Sequence, residues 1–170
     1  ILPINDTTMT HTWVDSYPYK ANSTYALHPM YLNIPALGKL KDNQRQEYFN
    51  NLAVELNALP QVDYERVNAG KLEYVREIFA ESGAKTLKTE NFKSFFAKNE
   101  YWLKNYAAFC LLRDKFGTAD FTKWDKYSKF DESLVDELCK DNADEINLTY
   151  YIQYNLDKQL KDSCDYAHKH

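Results

Sequence analysis

Hydrophobic residues recur every three or four positions along most of the chain, which is the spacing of one face of an α-helix. Runs with this period begin near residue 43 and continue almost to the end of the chain. Glycine occurs only 4 times, so few positions suit the tight turns of β-hairpins. The pattern therefore predicts helices over residues 43–59, 64–82, 100–116, 131–140 and 144–168, a short helix opening at residues 89–92, and a loop or single turn at 120–127.

Residues at the ends of these segments indicate where the helices start and stop. Asp42 and Asp63 precede the first two predicted helices, where a carboxylate can accept hydrogen bonds from free backbone N–H groups. Gly83 and Gly117 follow predicted helices and suit the left-handed conformation of a C-terminal stop. Gly70 lies inside a helix at a cost of about 1 kcal/mol relative to alanine, which indicates close packing at this position.

Aromatic residues are frequent on the predicted helices. Six of them recur at helical spacing, and we interpret these six as core residues between helices and not as sugar-binding platforms. They are Trp102, Tyr106, Phe109, Tyr150, Tyr151 and Tyr154.

The opening stretch does not follow the helical pattern. An apolar run, Ile1–Ile4, is followed at once by polar residues and then by an aromatic, proline-containing loop at residues 13–19. Short apolar runs that break into polar loops are how buried parallel strands present functional groups at their carboxyl ends. We therefore predict the end of a buried parallel strand and a loop in residues 1–33, and a helical region in residues 34–170.

Composition and charge indicate which binding partners, metal sites and cell compartment to expect. The 170 residues carry a formal net charge of −4, and the sequence has no basic patch of the kind that nucleic-acid binding requires. Three cysteines, Cys110, Cys139 and Cys164, are neither a disulfide framework nor a metal-site spacing and fit a reducing compartment. No apolar run approaches about 18 residues, so no membrane partner is expected. We expect a cytoplasmic protein without a metal or another cofactor.

Three segments of the opening stretch carry a longer pattern: LPINDTT at residues 2–8, DSYPY at 15–19 and STYALHPMYL at 23–32. In this order they resemble the N-terminal motifs of the amylomaltases, which are 4-alpha-glucanotransferases (disproportionating enzymes) of the retaining alpha-amylase clan. Tyr17 is inserted within the family's D-S-P-Y motif and His28 replaces the Asn before Pro29, as in the subgroup of large cytosolic members that act on maltose and soluble glucans. The similarity continues along nearly the whole chain, through residues 62–64, 102–109 and 150–154.

The resemblance implies a mainly α fold. Residues 34–170 would be a helical subdomain inserted in a (β/α)8 barrel, and residues 1–33 an extended N-terminal arm that is the end of a barrel strand with its substrate loop. It also implies transfer of alpha-1,4-glucan units between maltooligosaccharides or to glucose by a retaining mechanism. In the family, the catalytic carboxylates come from later barrel strands, and their motifs do not occur in these 170 residues. We therefore expect a fragment that contributes part of the donor sugar site, contains no catalytic residue and is inactive by itself.

Four residues of the opening loop are candidates for contact with a glucan: Tyr19, Ser16, Asp15 and Trp13. A glucose ring presents an apolar C–H face surrounded by hydroxyl groups, so its site needs aromatic surfaces and hydrogen-bonding groups. By the resemblance, Tyr19 matches the family's tyrosine that lines the donor subsite, and Ser16 matches the family's serine. Trp13 stands where many members have an aromatic residue. Asp15 can bind a sugar hydroxyl or cap the turn. Packing within the loop is the alternative for these residues.

Other polar residues of the arm are interpreted as structural. Asp6 follows the predicted strand end, but the family's motif requires no acid there. His28 is interpreted as a turn or packing residue, and neither His28 nor His11 has the neighbours of a metal ligand. Considered without the resemblance, this is an acidic, aromatic-rich helical domain, and the alternative function is a non-catalytic protein-interaction module.

Overall fold

The computed structural model describes residues 2–170; Ile1, in the predicted strand end, lies outside the described residues. Most of the chain is helical, which confirms the mainly α class. The helices are α1 (Asn43–Asn57), α2 (Tyr64–Thr86), α3 (Glu90–Phe116), α4 (Glu132–Asp141) and α5 (Ala143–Lys169). Short 3-10 turns lie at Trp13–Ser16, Pro29–Tyr31, Ile34–Leu37, Phe121–Lys123 and Asp125–Tyr127.

The helix starts follow the capping residues in the sequence. Asp42 accepts hydrogen bonds from the backbone N–H groups of Gln44 and Arg45 at 2.8 and 3.1 Å. Asp63 accepts one from the N–H of Arg66 at 3.0 Å. Both side chains satisfy donors that the first turn of a helix leaves free. The two predicted caps are confirmed.

Two predictions about helix boundaries were wrong. The segment predicted as a short helix plus a second helix from residue 100 is one continuous helix, α3, because no glycine or proline interrupts residues 90–116. Gly83 does not end α2, which continues to Thr86. A Cβ atom at Gly83 would lie 2.2 Å from Cδ2 of Phe79 one turn earlier, so the glycine leaves room for that ring.

Gly117 and Gly70 behave as predicted. Gly117 ends α3 in the left-handed conformation, with φ of 64°. Gly70 lies where α1 and α2 touch, and a Cβ atom there would lie 2.9 Å from Cδ2 of Leu52. The absence of a side chain at Gly70 therefore allows the close packing of α1 on α2.

Helix α5 lies at the centre of the hydrophobic core. One side packs with α1, α2 and the arm through Phe49, Tyr74, Ile78, Tyr151 and Leu156, among others. Its other side packs with α3 around Phe92, Leu103, Tyr106, Ile146 and Tyr150. The core interpretation of the six helical aromatics is confirmed, because Tyr106, Tyr150 and Tyr151 are buried and Trp102, Phe109 and Tyr154 pack against the same clusters.

The arm before α1 is extended and bonded to itself. In residues 2–170 the β pairing is limited to one antiparallel bridge, between Asn5 and Leu27. Backbone N–H groups of His28 and Asp6 donate to the carbonyl oxygens of Ile4 and Ala26 at 3.0 and 2.9 Å. Two stretches of the arm therefore lie side by side.

Two glutamines of α5 fix the arm to the helices. The side-chain amide of Gln153 accepts from the backbone N–H of Leu27 at 2.9 Å and donates to its carbonyl at 2.8 Å. Gln159 makes the same pair of bonds with the N–H and carbonyl of Asn33, at 2.8 and 3.1 Å. Each glutamine thus replaces the neighbouring strand that an extended backbone would otherwise need.

Gln153 is 2% exposed, and its loss leaves two partly buried backbone groups of Leu27 without partners. We expect Gln153→Leu to lower the free energy of unfolding by about 2–6 kcal/mol, at roughly 1–3 kcal/mol for each of the two unsatisfied groups. Urea denaturation followed by circular dichroism measures this change. Gln159→Leu is the matched control, because water can replace its exposed bonds, and equal losses in the two variants would contradict the prediction.

Candidate functional site

The opening loop is built around the carboxylate of Asp6, which is completely buried. One carboxylate oxygen accepts from the backbone N–H and the hydroxyl of Thr8, at 3.0 and 2.6 Å. The other accepts from the side-chain amide of Asn22 at 3.0 Å and from the hydroxyl of Tyr106 at 2.8 Å. Four donors compensate for the burial of the charge, and Tyr106 connects the loop to α3. The structural interpretation of Asp6 is therefore confirmed.

A second anchor joins the loop to the C-terminal half of α3. The buried guanidinium of Arg113 donates to the carbonyl oxygen of Thr8 at 2.8 Å and to the carboxylate of Asp114 at 2.7 Å. The same oxygen of Asp114 is 2.8 Å from Nε2 of His11. These bonds lower the pKa of the Asp114 carboxyl although burial opposes the change. The loop from Thr8 to His11 is held on α3 by charged groups.

Asp15 organises the turn that follows. Its carboxylate accepts from the backbone N–H groups of Thr10 and His11 at 2.8 and 2.7 Å, and from the hydroxyl of Thr10 at 3.1 Å. The carbonyl of Asp15 accepts from the hydroxyl of Thr7. Asp15 is 4% exposed, and the bonds hold His11 at a positive φ of 59°. Asp15 was predicted to bind a sugar hydroxyl or to cap the turn, and the structure shows that it caps the turn.

This scaffold leaves the aromatic side chains of the loop open to solvent. Trp13 is 68% exposed and Tyr19 is 64% exposed. Tyr19 packs beside Tyr17, with ring centroids 5.6 Å apart and planes tilted by 53°. The backbone N–H of Trp13 donates to the carboxylate of Glu65 at 2.8 Å, which fixes this corner of the loop to the start of α2. Loop packing does not account for the side chains of Trp13 and Tyr19, because both project from the surface.

A cavity of about 210 Å³ lies under this loop and against the start of α2. Asp15 and Ser16 of the candidate residues line it, whereas Trp13 and Tyr19 do not. Cavities that enclose a whole small ligand usually measure about 300–1,000 Å³, so this one is large enough for part of a sugar ring. The remaining lining residues are Pro3, Asn5, Thr7, Pro18, His28, Met30, Tyr31, Val62 and Tyr64.

His28 and Tyr64 form a buried polar pair in the wall of the cavity. Nδ1 of His28 accepts from the backbone N–H of Met30 at 3.0 Å, so a neutral ring carries its proton on Nε2. Nε2 is 2.8 Å from the Tyr64 hydroxyl and donates to it. Burial lowers the pKa of His28 and raises the pKa of Tyr64 to about 12, so both groups are neutral near pH 7. The wall therefore offers a hydroxyl without a charge.

The structure confirms the interpretation of His28 as a turn residue. His28 precedes the 3-10 turn Pro29–Tyr31 and caps it through Nδ1, as a turn residue does. Its position in the cavity wall, and that of Tyr64, was missed. The signal was present in the segments around His28–Pro29 and Val62–Tyr64, which carry part of the family pattern but were not assigned to the candidate site.

These features belong to a chain that matches one protein family from end to end. The model of glycoside hydrolase family 77, described as 4-alpha-glucanotransferase, matches residues 1–170. The chain belongs to this family. The resemblance to the amylomaltases, inferred from the motifs of the arm, is thereby confirmed.

Curated relatives carry the same description. The 4-alpha-glucanotransferase DPE2 of Oryza sativa subsp. japonica is 41% identical over 172 residues, covering 99% of this chain and 18% of that protein. A 4-alpha-glucanotransferase of Chlamydia caviae is 34% identical, with 94% and 29% covered. One of Clostridium butyricum is 26% identical, with 99% and 33% covered. The chain thus spans about a fifth to a third of the length of these relatives. No solved structure matches it.

Two further findings concern the described residues of this family 77 chain. None of the helices in residues 2–170 combines the length and apolarity that crossing a membrane requires. In the same residues, no three side chains of His, Cys, Asp or Glu are grouped as metal ligands.

Removal of the Tyr106 hydroxyl tests the anchor at Asp6. We expect Tyr106→Phe to lower the free energy of unfolding by about 1–3 kcal/mol, because a buried carboxylate loses one of its donors. Tyr150→Phe is the control, since Tyr150 is also 8% exposed and its hydroxyl makes no hydrogen bond within residues 2–170. Urea denaturation of both variants measures the difference, and a similar loss in each would count against the anchor.

The buried state of His28 predicts a dependence of stability on pH. Its pKa is lower in the folded chain than the ordinary 6.5, so the unfolded chain binds a proton first as pH falls. Stability from this group is full above the unfolded pKa and declines as pH falls towards the folded pKa. We expect Tm to fall between about pH 7 and about pH 5, and to fall less in His28→Asn, whose side chain can still cap the turn. His11→Asn serves as the comparison, and an unchanged slope in His28→Asn would refute the assignment.

Proposed function

We propose that this chain is part of a 4-alpha-glucanotransferase and contributes part of its donor sugar site. The observation that carries the proposal is the family match over residues 1–170, together with relatives named 4-alpha-glucanotransferase that are similar along the whole chain. The complete enzyme would break an alpha-1,4 bond, hold the glucan unit covalently and transfer it to another maltooligosaccharide or to glucose. Its partners would be alpha-1,4-glucans, and its compartment the cytoplasm.

The retaining mechanism needs two carboxyl groups about 5–5.5 Å apart, one as nucleophile and one as acid and base. The opening loop contains Asp6 and Asp15, but both oxygens of each carboxylate already accept hydrogen bonds from the chain itself. Neither carboxylate is free to attack a sugar or to protonate a leaving group. This supports the proposal that the catalytic carboxylates lie outside these 170 residues and that the chain is inactive by itself.

Recognition of the donor sugar is the role proposed for the loop. Tyr19 and Trp13 offer exposed aromatic faces that suit the C–H face of a glucose ring. Ser16 is exposed at the edge of the 210 Å³ cavity, where its hydroxyl can exchange hydrogen bonds with a sugar hydroxyl. Asp15 contributes by holding the turn on which Trp13 and Ser16 lie.

The placement of the chain in the complete enzyme follows the same proposal. Residues 1–33 would be the end of a barrel strand with its loop, and residues 34–170 a helical subdomain inserted in a (β/α)8 barrel. The alternative, a helical protein-interaction module, has less support, because every relative described above is named a transferase.

The test of the donor site is Tyr19→Ala in the complete protein. We expect kcat/KM for maltotriose to fall by about a hundredfold, or about 2.7 kcal/mol, because the ring and the hydroxyl that position the sugar are both lost. Tyr19→Phe should lose less, since the ring remains. Tm should change little in either variant, because the side chain is 64% exposed.

Tyr166→Ala is the matched control for this experiment. Tyr166 is 67% exposed near the end of α5, so its loss should leave both kcat/KM and Tm unchanged. Normal kinetics per folded molecule in Tyr19→Ala, combined with a large fall in Tm, would remove Tyr19 from the donor site.

A further inference from the structure

A second aromatic group lies away from the opening loop, where the arm meets α3, and consists of two exposed tyrosine rings beside a half-buried indole. We call it the Tyr25 surface, formed by Tyr25, Tyr101 and Trp102. The ring of Tyr25 stacks on Trp102, with centroids 5.7 Å apart and planes within 17°. Tyr101 meets Tyr25 nearly at a right angle, with centroids 5.6 Å apart. Tyr25 is 54% exposed and Tyr101 65% exposed, so these two rings form an open, angled platform.

The platform is held in place by hydrogen bonds below it. The indole N–H of Trp102 donates to Oδ1 of Asn99 at 2.9 Å, and the amide of Asn99 donates to the carbonyl of Phe95 at 2.8 Å. The hydroxyl of Ser23 accepts from the backbone N–H groups of Tyr25 and Ala26 at 3.2 and 3.0 Å. These bonds fix the indole plane and the turn that carries Tyr25, so little rotational freedom remains to be lost when a ligand binds.

A shallow pocket of about 80 Å³ opens beside the stacked rings. Its volume is well below the roughly 300–1,000 Å³ of sites that enclose a ligand, so only an edge of a ligand can enter it. Recognition at this place must therefore come from stacking on the exposed rings. The lining residues are Tyr25, Leu27, Phe95, Asn99, Trp102, Gln153 and Asp157.

Asp157 supplies a polar group at the rim of this pocket. Its carboxylate is exposed and makes no hydrogen bond or ion pair with the described residues 2–170, unlike the carboxylates of Asp6 and Asp15. Partial loss of hydration raises its pKa, although Lys98 and Lys161 oppose the change. A carboxylate with free oxygens beside an aromatic face can accept bonds from sugar hydroxyls and disfavours ligands that carry phosphate.

The two sites are separate surfaces of one molecule. The 80 Å³ pocket lies between the arm, α3 and α5, whereas the 210 Å³ cavity lies between the arm and the start of α2. They share no lining residue, but the segment from Tyr25 to Tyr31 passes from one to the other. A long flexible ligand could therefore contact both surfaces.

We propose that the Tyr25 surface is a second binding site for a linear alpha-1,4-glucan, separate from the donor loop. Tyr25 and Tyr101 stack on glucose rings, and Asp157 accepts hydrogen bonds from their hydroxyl groups. The inference rests on the proposed function, since that function supplies the glucan. Binding at this surface holds a long glucan near the donor loop and raises its effective concentration there.

The three tryptophans of the chain allow one experiment to follow both sites. Trp13 lies in the donor loop, Trp102 in the Tyr25 surface, and Trp124 is 4% exposed in the core. The chain labelled with 5-fluorotryptophan gives three ¹⁹F NMR resonances, assigned by Trp13→Phe, Trp102→Phe and Trp124→Phe. Maltoheptaose is titrated into the millimolar range, and cellohexaose, its β-linked counterpart, is titrated in parallel.

The expected result is a saturable shift of the Trp102 resonance with maltoheptaose, a smaller one or none with cellohexaose, and an unchanged Trp124 resonance. Tyr101→Ala should raise the Kd read at Trp102 about tenfold, because one stacking ring is lost. The Kd read at Trp13 should remain the same in that variant. Tyr166→Ala, which removes a similarly exposed ring elsewhere, should change neither value.

The remaining outcomes separate this inference from the proposed function. If maltoheptaose shifts the Trp13 resonance but not the Trp102 resonance, the second site is overturned and the donor loop remains supported. A shift at Trp102 with a static Trp13 supports the second site and counts against the donor loop. Static resonances at both positions overturn the second site and count against the donor loop. Equal effects of Tyr101→Ala and Tyr166→Ala on the Trp102 resonance would also overturn the inference.

Discussion

The buried carboxylate of Asp6 is the interaction on which the candidate site of this molecule depends. It joins Thr8, Asn22 and Tyr106, which come from three separate parts of the sequence. A buried charge is tolerated only when its donors are in place, so the arm and α3 must adopt their relative positions together. The loop with Trp13, Ser16 and Tyr19 is presented to solvent from this fixed base.

The helices act as a scaffold for an arm that has little structure of its own. Arg113 on α3, Gln153 and Gln159 on α5 and Lys71 on α2 all bind backbone groups of the arm. Binding loops carried by a rigid framework are a common arrangement, because the framework supplies the stability and the loop is free to carry the chemistry. Here the framework is almost entirely helical, and its polar contacts to the arm are made by long side chains.

The sequence was sufficient to predict the parts of the fold that depend on local interactions. Helix periodicity, the caps Asp42 and Asp63 and the stop at Gly117 each depend on residues within one or two turns. Gly83 was misread because a glycine near a helix end also fits a second explanation, namely space for the Phe79 ring.

The sequence alone did not predict the polar contacts between residues far apart in the chain. Tyr106 lies 100 residues from Asp6, and Gln153 lies 126 residues from Leu27. No periodicity or spacing connects such pairs. For the candidate site, the motif located the loop, but the wall formed by His28 and Tyr64 required the three-dimensional arrangement.

Gln153 and Gln159 each hold one arm residue through a pair of hydrogen bonds, here called a clamp. The two clamps restrict how the arm can change in length. Gln153 and Gln159 are six residues apart on a helix, a rise of about 9 Å, whereas six extended residues of the arm would span about 20 Å. The 3-10 turn at Pro29–Tyr31 shortens the arm between Leu27 and Asn33 so that both clamps can form. An insertion or deletion between Leu27 and Asn33 would move one clamp out of register with the other. This segment is therefore far less tolerant of length variation than an ordinary surface loop.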